Sequence, residues 1–203
     1  MKLYPVYLVI AAVTVLSPGP GVVMTLTNAL QLGVRAAFGG IFGIAAGALV
    51  IAAFSATTVG VLFASSPAAF TLLKFAGAGY LAWLGVRLWR APLVRFDEIP
   101  VRPKGHRRKF LEGMTLQFGN PKAIFFFLSV LPQFIDRGQS PFPQYALMAL
   151  TYSLLIVLIH GLYAVGAQRT RPFLTSAKGA MVINRTGGTL FVVFALLMAT
   201  ATR

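Results

Sequence analysis

Two apolar segments of this chain are each interrupted midway by a helix-start signal, and both interruptions fall at membrane depth. The first reads Ser17-Pro18-Gly19-Pro20-Gly21 and the second Gly119-Asn120-Pro121-Lys122. A Ser or Asn directly before Pro is the local code for an N-cap and a first helical residue. The cap side chain accepts from a free backbone N–H, and Pro has no N–H to leave unsatisfied. Each motif is therefore expected to start a half-helix, with Ser17 and Asn120 as caps. Backbone broken inside a bilayer is tolerated only where protein buries it or a cavity receives it. A single break reads more readily as a proline kink. Two at matched positions point to a small-molecule site.

The membrane reading follows from composition. Of 203 residues, 57% are hydrophobic and 11% charged, and several apolar stretches are long enough to cross about 30 Å of hydrocarbon. Six spans are expected near 4–30, 38–64, 68–90, 110–134, 143–166 and 183–201. They use nearly the whole chain as one integral membrane domain. Lys2 ahead of an apolar run resembles a signal peptide, but no small-x-small cleavage site follows it. The chain has no cysteine, which excludes thiolate metal sites and disulfides.

The formal net charge of +14 invites a nucleic-acid reading, yet the cations sit beside the spans. Arg35 follows span one, Arg102, Lys104, Arg107, Arg108 and Lys109 fill the loop after span three, and Arg169, Arg171 and Lys178 follow span five. Lys and Arg in short loops mark the cytoplasmic side. Both termini are then outside, and no nucleic-acid partner is expected. The basic loop, about residues 93–109, divides the chain into halves of about 1–92 and 110–203. Each half has three spans, the first of them broken. An odd number of crossings makes two such repeats inverted, so the expected fold is an all-α membrane protein of two inverted three-helix repeats.

In that arrangement the two half-helix N-termini converge, each carrying roughly half a positive charge. Ser17, Pro18, Gly19, Pro20, Gly21, Asn120, Pro121 and Lys122 then form a candidate site for an anionic group such as a carboxylate. Lys122 adds a full charge too far from either end of its span to snorkel easily. Lys74, nearer the end of its span, can snorkel. His160 is the intramembrane group that titrates near neutral pH and is a candidate for proton coupling. A plain hydrogen bond to a neighbouring helix explains it as well. The four acids, Asp97, Glu98, Glu112 and Asp136, lie in loops or at span ends, so a substrate's second cation finds no expected counter-charge. Gly39, Gly43 and Gly47 recur every four residues and read as close helix packing, within one chain or between copies in a homo-oligomer. No motif for a hydrolase, a nucleotide site, a cofactor or a metal is present.

These residues resemble the LysE/RhtB family of lysine and homoserine/threonine exporters. The likeness runs through Ser17-Pro18-Gly19-Pro20, Asn28-Ala29-Leu30, Gly33, Arg35, Gly39, Gly43 and Gly47. It continues through Gly77-Ala78-Gly79-Tyr80-Leu81, Glu112-Gly113, Asn120-Pro121-Lys122-Ala123, Pro132-Gln133-Phe134 and Asn184-Arg185 with Gly187-Gly188. The resemblance implies a bacterial inner-membrane exporter of amino acids or close derivatives, driven by the proton gradient. Two positions depart from the family pattern: Gly21 stands where many members have Asn, and Ala48 where many have an acid. Loss of that acid argues against a dibasic substrate and removes an obvious proton carrier. The expectation is efflux of neutral amino acids by alternating access. The alternatives are export of lysine or arginine, or a passive channel for small solutes.

Overall fold

The computed structural model describes residues 3–65, 67–91, 105–136, 138–174 and 176–200. The expectations for Lys2, Arg102, Lys104, Asp97 and Glu98 fall outside those residues, as does the Lys74 side chain. Among the described residues there is no strand. Helix α1 (Tyr4–Leu16) is followed by α2 (Pro20–Leu32), α3 (Val34–Ser65), α4 (Pro67–Trp89), α5 (His106–Phe118), α6 (Pro121–Phe125), α7 (Pro141–Leu174) and α8 (Ala177–Thr200). After α6 the chain widens into a π turn over Phe126–Val130 and tightens into a 3₁₀ turn over Leu131–Phe134.

Three segments are long and apolar enough to cross a membrane unaided: Val34–Thr57, Pro141–Ala167 and Ala177–Leu197. The pair α1–α2, bent by 54°, makes a fourth if counted as one span. Helix α4 occupies the expected third span, but Arg87, Lys74 and three glycines dilute its apolarity. The expected fourth span is divided into the polar-ended α5 and the short apolar segment Pro121–Phe134.

The glycines of the second expected span receive α5 of the same chain. A methyl group added at Gly47 would lie 2.9 Å from Gln117 Cβ, one at Gly39 would lie 3.1 Å from Lys109 Cβ, and one at Gly43 would overlap the Phe110 carbonyl. From the other side, Gly113 presses on the Gly40 carbonyl. Backbones therefore touch along α3 and α5, and this small-residue face joins helices within one chain. Helices α4 and α8 meet similarly. A Cβ at Gly85 would lie 2.7 Å from the Gly188 carbonyl oxygen, and Trp89 Nε1 donates to the Arg185 carbonyl at 3.0 Å. Trp89 is thus a tie between helices.

Helices α1 and α2 pack on α7, and the core between them is aromatic. Tyr7, Phe126, Phe127 and Tyr152 are all buried, and the Tyr7 hydroxyl donates to the Met148 carbonyl at 2.5 Å. On the outer face of α7, Leu147, Leu150, Leu154, Leu158, Leu162 and Val165 are exposed at helical spacing. Hydrocarbon is the solvent that suits such a stripe. Residues 75–87 of α4 and 185–197 of α8 carry the same order of buried, half-buried and exposed positions.

Candidate functional site

The first break is not capped by Ser17. Ser17 closes α1: its N–H donates to the Val13 carbonyl at 2.9 Å and its Oγ donates to the Thr14 carbonyl at 2.7 Å. Helix α2 begins at Pro20, with Gly19 as its extended N-cap and no side-chain cap. The second proline is the reason. A residue before Pro is pushed out of the helical region, so Gly19 cannot be helical and Pro18 cannot start a helix. Pro18 instead holds Ser17 extended and ends α1, leaving Pro20 as the first helical residue.

The second break follows the local code. Asn120 is extended, Pro121 is the first helical residue, and Asn120 Oδ1 accepts from the Lys122 N–H at 3.1 Å. Asn120 Nδ2 donates to Gln117 Oε1 at 3.1 Å, which fastens the cap of α6 to the end of α5.

Lys122 joins the two breaks. Its Nζ donates to the carbonyl oxygens of Thr14 and Ser17, each at 2.9 Å, and lies 3.2 Å from Ser17 Oγ. The ammonium therefore sits on the carbonyl end of α1, where the helix dipole is negative and the last C=O groups lack helical partners. Gly19 makes room for it, since a Cβ there would lie 3.0 Å from Nζ. The side chain turns inward and ties α6 to α1.

Beside this tie is a cavity of about 20 Å³ whose walls include Gly21, Gln117, Asn120, Lys122, Tyr152 and His160. That is room for about one water. His160 on α7 is buried, with Nδ1 3.0 Å from Thr25 Oγ1 on α2. Gly21 keeps the space open, because a Cβ there would lie 3.2 Å from His160 Cε1. Of the residues expected at the site, Ser17, Gly19, Gly21, Asn120, Lys122 and His160 come together here. Pro18, Pro20 and Pro121 act on the backbone. Pro18 also faces a separate apolar cavity of about 260 Å³ between α1 and α8. Ala48 is fully buried in the core and does not line the small cavity; Ile44, one turn earlier, does.

A buried lysine escaped the sequence reading, which placed Lys109 in the basic loop. It is 2% exposed and lies inside α5, with Nζ donating to Asn28 Oδ1 of α2 at 2.6 Å and a Glu112 carboxylate oxygen 3.9 Å away. The sequence signal was slight: a lysine heading an apolar run, with an acid three residues on. Tyr80 stacks on Phe125 at 4.0 Å, and its buried hydroxyl has no hydrogen-bond partner among the described residues.

The chain matches the family described as LysE type translocator over residues 12–202. It is 32% identical over 195 residues to the homoserine/homoserine lactone efflux protein of Salmonella typhi, covering 96% of this chain and 95% of that one. It is 31% identical over 202 residues to the leucine efflux protein of Klebsiella pneumoniae, covering 97% and 94%. An uncharacterized membrane protein of Vibrio cholerae is 32% identical over 198 residues, covering 96% and 95%. No solved structure matches the chain. The protein belongs to the LysE type translocator family and is a membrane transport protein.

Proposed function

We propose that this LysE type translocator exports neutral amino acids, or derivatives with neutral side chains, through a site built on its two helix breaks. The observation that carries the reading is the Lys122 tie across both breaks, on the wall of a cavity that Gln117, Asn120 and His160 also line. An amino-acid carboxylate is a better partner for an ammonium than two carbonyls are, because a charge-assisted bond to an anion is stronger. A carboxylate that takes Nζ from Thr14 and Ser17 releases α6 from α1. The cavity is too small for an amino acid as it stands, so entry and separation of the two breaks are one event. Binding thereby drives the change of access. The names of the Salmonella and Klebsiella relatives support amino-acid efflux as the direction and class.

The preference for neutral substrates rests on charge. Glu112 and Asp136, the two acids among the described residues, are absent from the cavity wall, whereas Lys122 is on it. A lysine substrate would bring a second ammonium close to the first at reduced dielectric. Gln117 is placed to receive a single α-ammonium through its amide. His160, on the same wall, is our candidate for the coupled proton. Export of radiolabelled leucine, threonine and lysine from preloaded cells tests the assignment. Leucine or threonine should leave faster than lysine, and lysine leaving fastest would overturn it.

The same reading takes six crossings arranged as inverted repeats, with loops 1–2, 3–4 and 5–6 in the cytoplasm of a bacterial inner-membrane protein. The matching burial order in α4 and α8, and the broken element that opens each half, support the repeats. So does the packing. Helix α3 lies on α5 as α7 lies on α1 and α2, the exchange that a two-fold axis makes. A reporter fused to the C-terminus and active only outside the cytoplasm should be active, and a silent one contradicts this topology.

A further inference from the structure

A groove of about 460 Å³ lies away from the breaks, where α3 and α5 begin. Its wall includes Arg35, His106 and Arg107 at one end and Phe38, Phe42 and Phe110 further along the helices. All three basic side chains are exposed. Among the described residues neither arginine has an ion pair or a side-chain hydrogen bond. The first turn of α5 adds to the positive end, because its N-cap is Gly105 and no side chain caps its free N–H groups. The neighbouring acid, Glu112, has its carboxylate 3.9 Å from Lys109 and does not line the cavity.

The apolar end is equally defined. The Phe38 and Phe42 rings are 5.9 Å apart, Phe42 is half exposed, and Phe38 reaches α7 at Gly161. Arg35 and Phe42 are seven positions apart on one helix, about 10 Å at 1.5 Å per residue. The polar layer on each side of a bilayer is roughly 5–8 Å deep. Cations at the entrance and phenyl rings about 10 Å deeper thus match a molecule with a phosphate at the interface and hydrocarbon below it. A soluble anion would use the first end and leave three rings without a partner.

We propose that this groove binds one anionic phospholipid. Its phosphodiester rests on Arg35, Arg107 and the start of α5, and its upper acyl chains lie along Phe38, Phe42 and Phe110. The lipid bridges α3 and α5, the two helices whose backbones touch along the glycine face.

Thermal unfolding of the full chain in neutral detergent tests this without reference to transport, as phosphatidylglycerol, phosphatidylcholine or inorganic phosphate is titrated. Phosphatidylglycerol should raise the midpoint, and neither of the others should. Arg35→Gln with Arg107→Gln should need roughly 30-fold more phosphatidylglycerol for the same rise, since two interfacial cations are removed. Both side chains are exposed, so the unliganded midpoint should hold. Should the pair fail to fold, Arg35→Gln alone carries the test with an intermediate loss. Lys178→Gln with Arg185→Gln removes equal charge elsewhere and should leave the response intact. The proposal fails if phosphatidylcholine stabilises equally, if phosphate alone reproduces the rise, or if the distant pair loses as much as the groove pair.

Discussion

Lys122 Nζ lies 2.9 Å from the carbonyl oxygen of Ser17, so the residue that follows one helix break neutralises the end of the helix before the other. Two features that are 105 positions apart in sequence become one polar unit. The unit explains why Gly19 is bare, because a side chain there would meet the ammonium. In the proposed cycle a substrate carboxylate that claims Nζ loosens α1 from α6, and return of Nζ to the carbonyls closes them.

Asn120 holds the second half of that unit in place. Asn120→Ala removes the cap from the Lys122 N–H and the bond to Gln117, and should cost about 1 kcal/mol of stability. Asn120→Ser keeps an acceptor for the N–H and should recover most of the loss. Thermal midpoints of the purified variants in detergent decide it, and equal midpoints for Ala and wild type would remove the cap from the account.

The Lys109–Asn28 bond is a further cross-link between the broken elements, joining α5 to α2 over 81 positions. Asn28→Leu deprives a buried ammonium of this acceptor. A hydrogen bond to a charged group is worth about 1.5–3 kcal/mol, so a clear fall in unfolding midpoint is expected. Asn28→Asp, which supplies an anion, should raise the midpoint and slow transport by holding α2 and α5 together. Unchanged transport in a stabilised Asp variant would show that this contact is not broken during the cycle.

The glycine face of α3 should tolerate nothing larger. Gly43→Ala drives its methyl into the Phe110 carbonyl, which only separation of α3 and α5 relieves. Overpacking of this kind costs about 1–3 kcal/mol. Gly79→Ala is the matched control, because a Cβ there meets nothing within 4 Å. Size-exclusion profiles of the two variants should show loss of folded protein for Gly43 and wild-type behaviour for Gly79.

What sequence could convey here was the local chemistry. Asn120-Pro121 announces its own cap because the acceptor, the proline and the capped N–H lie within three residues. The helix interruptions and the α3 glycine spacing are local in the same sense. Ser17-Pro18 misled because a second proline two residues on competes for the helix start, and steric exclusion at Gly19 settles the contest. Lys109 was hidden for another reason. A lysine in a basic run is normally solvated, and its burial depends on Asn28, far away in the chain. The partners of Lys122 were also beyond reach, since a dipole at the end of α1 belongs to the assembled fold.

In the proposed cycle the Lys122 ammonium is shared between the α1 carbonyls and a substrate carboxylate. Leucine efflux from proteoliposomes, measured against leucine concentration for wild type and Lys122→Met, tests this sharing. The Met variant keeps length and apolarity without the cation. Its half-saturating concentration should rise roughly 10- to 100-fold, the worth of one charged hydrogen bond. Lys122→Arg retains a cation for Thr14 and Ser17 and provides a comparison if the Met variant unfolds. It should transport poorly, because a planar guanidinium does not fit where a compact ammonium lies against Gly19. A folded Met variant with unchanged half-saturation would contradict the account and leave Lys122 as a tie between helices alone.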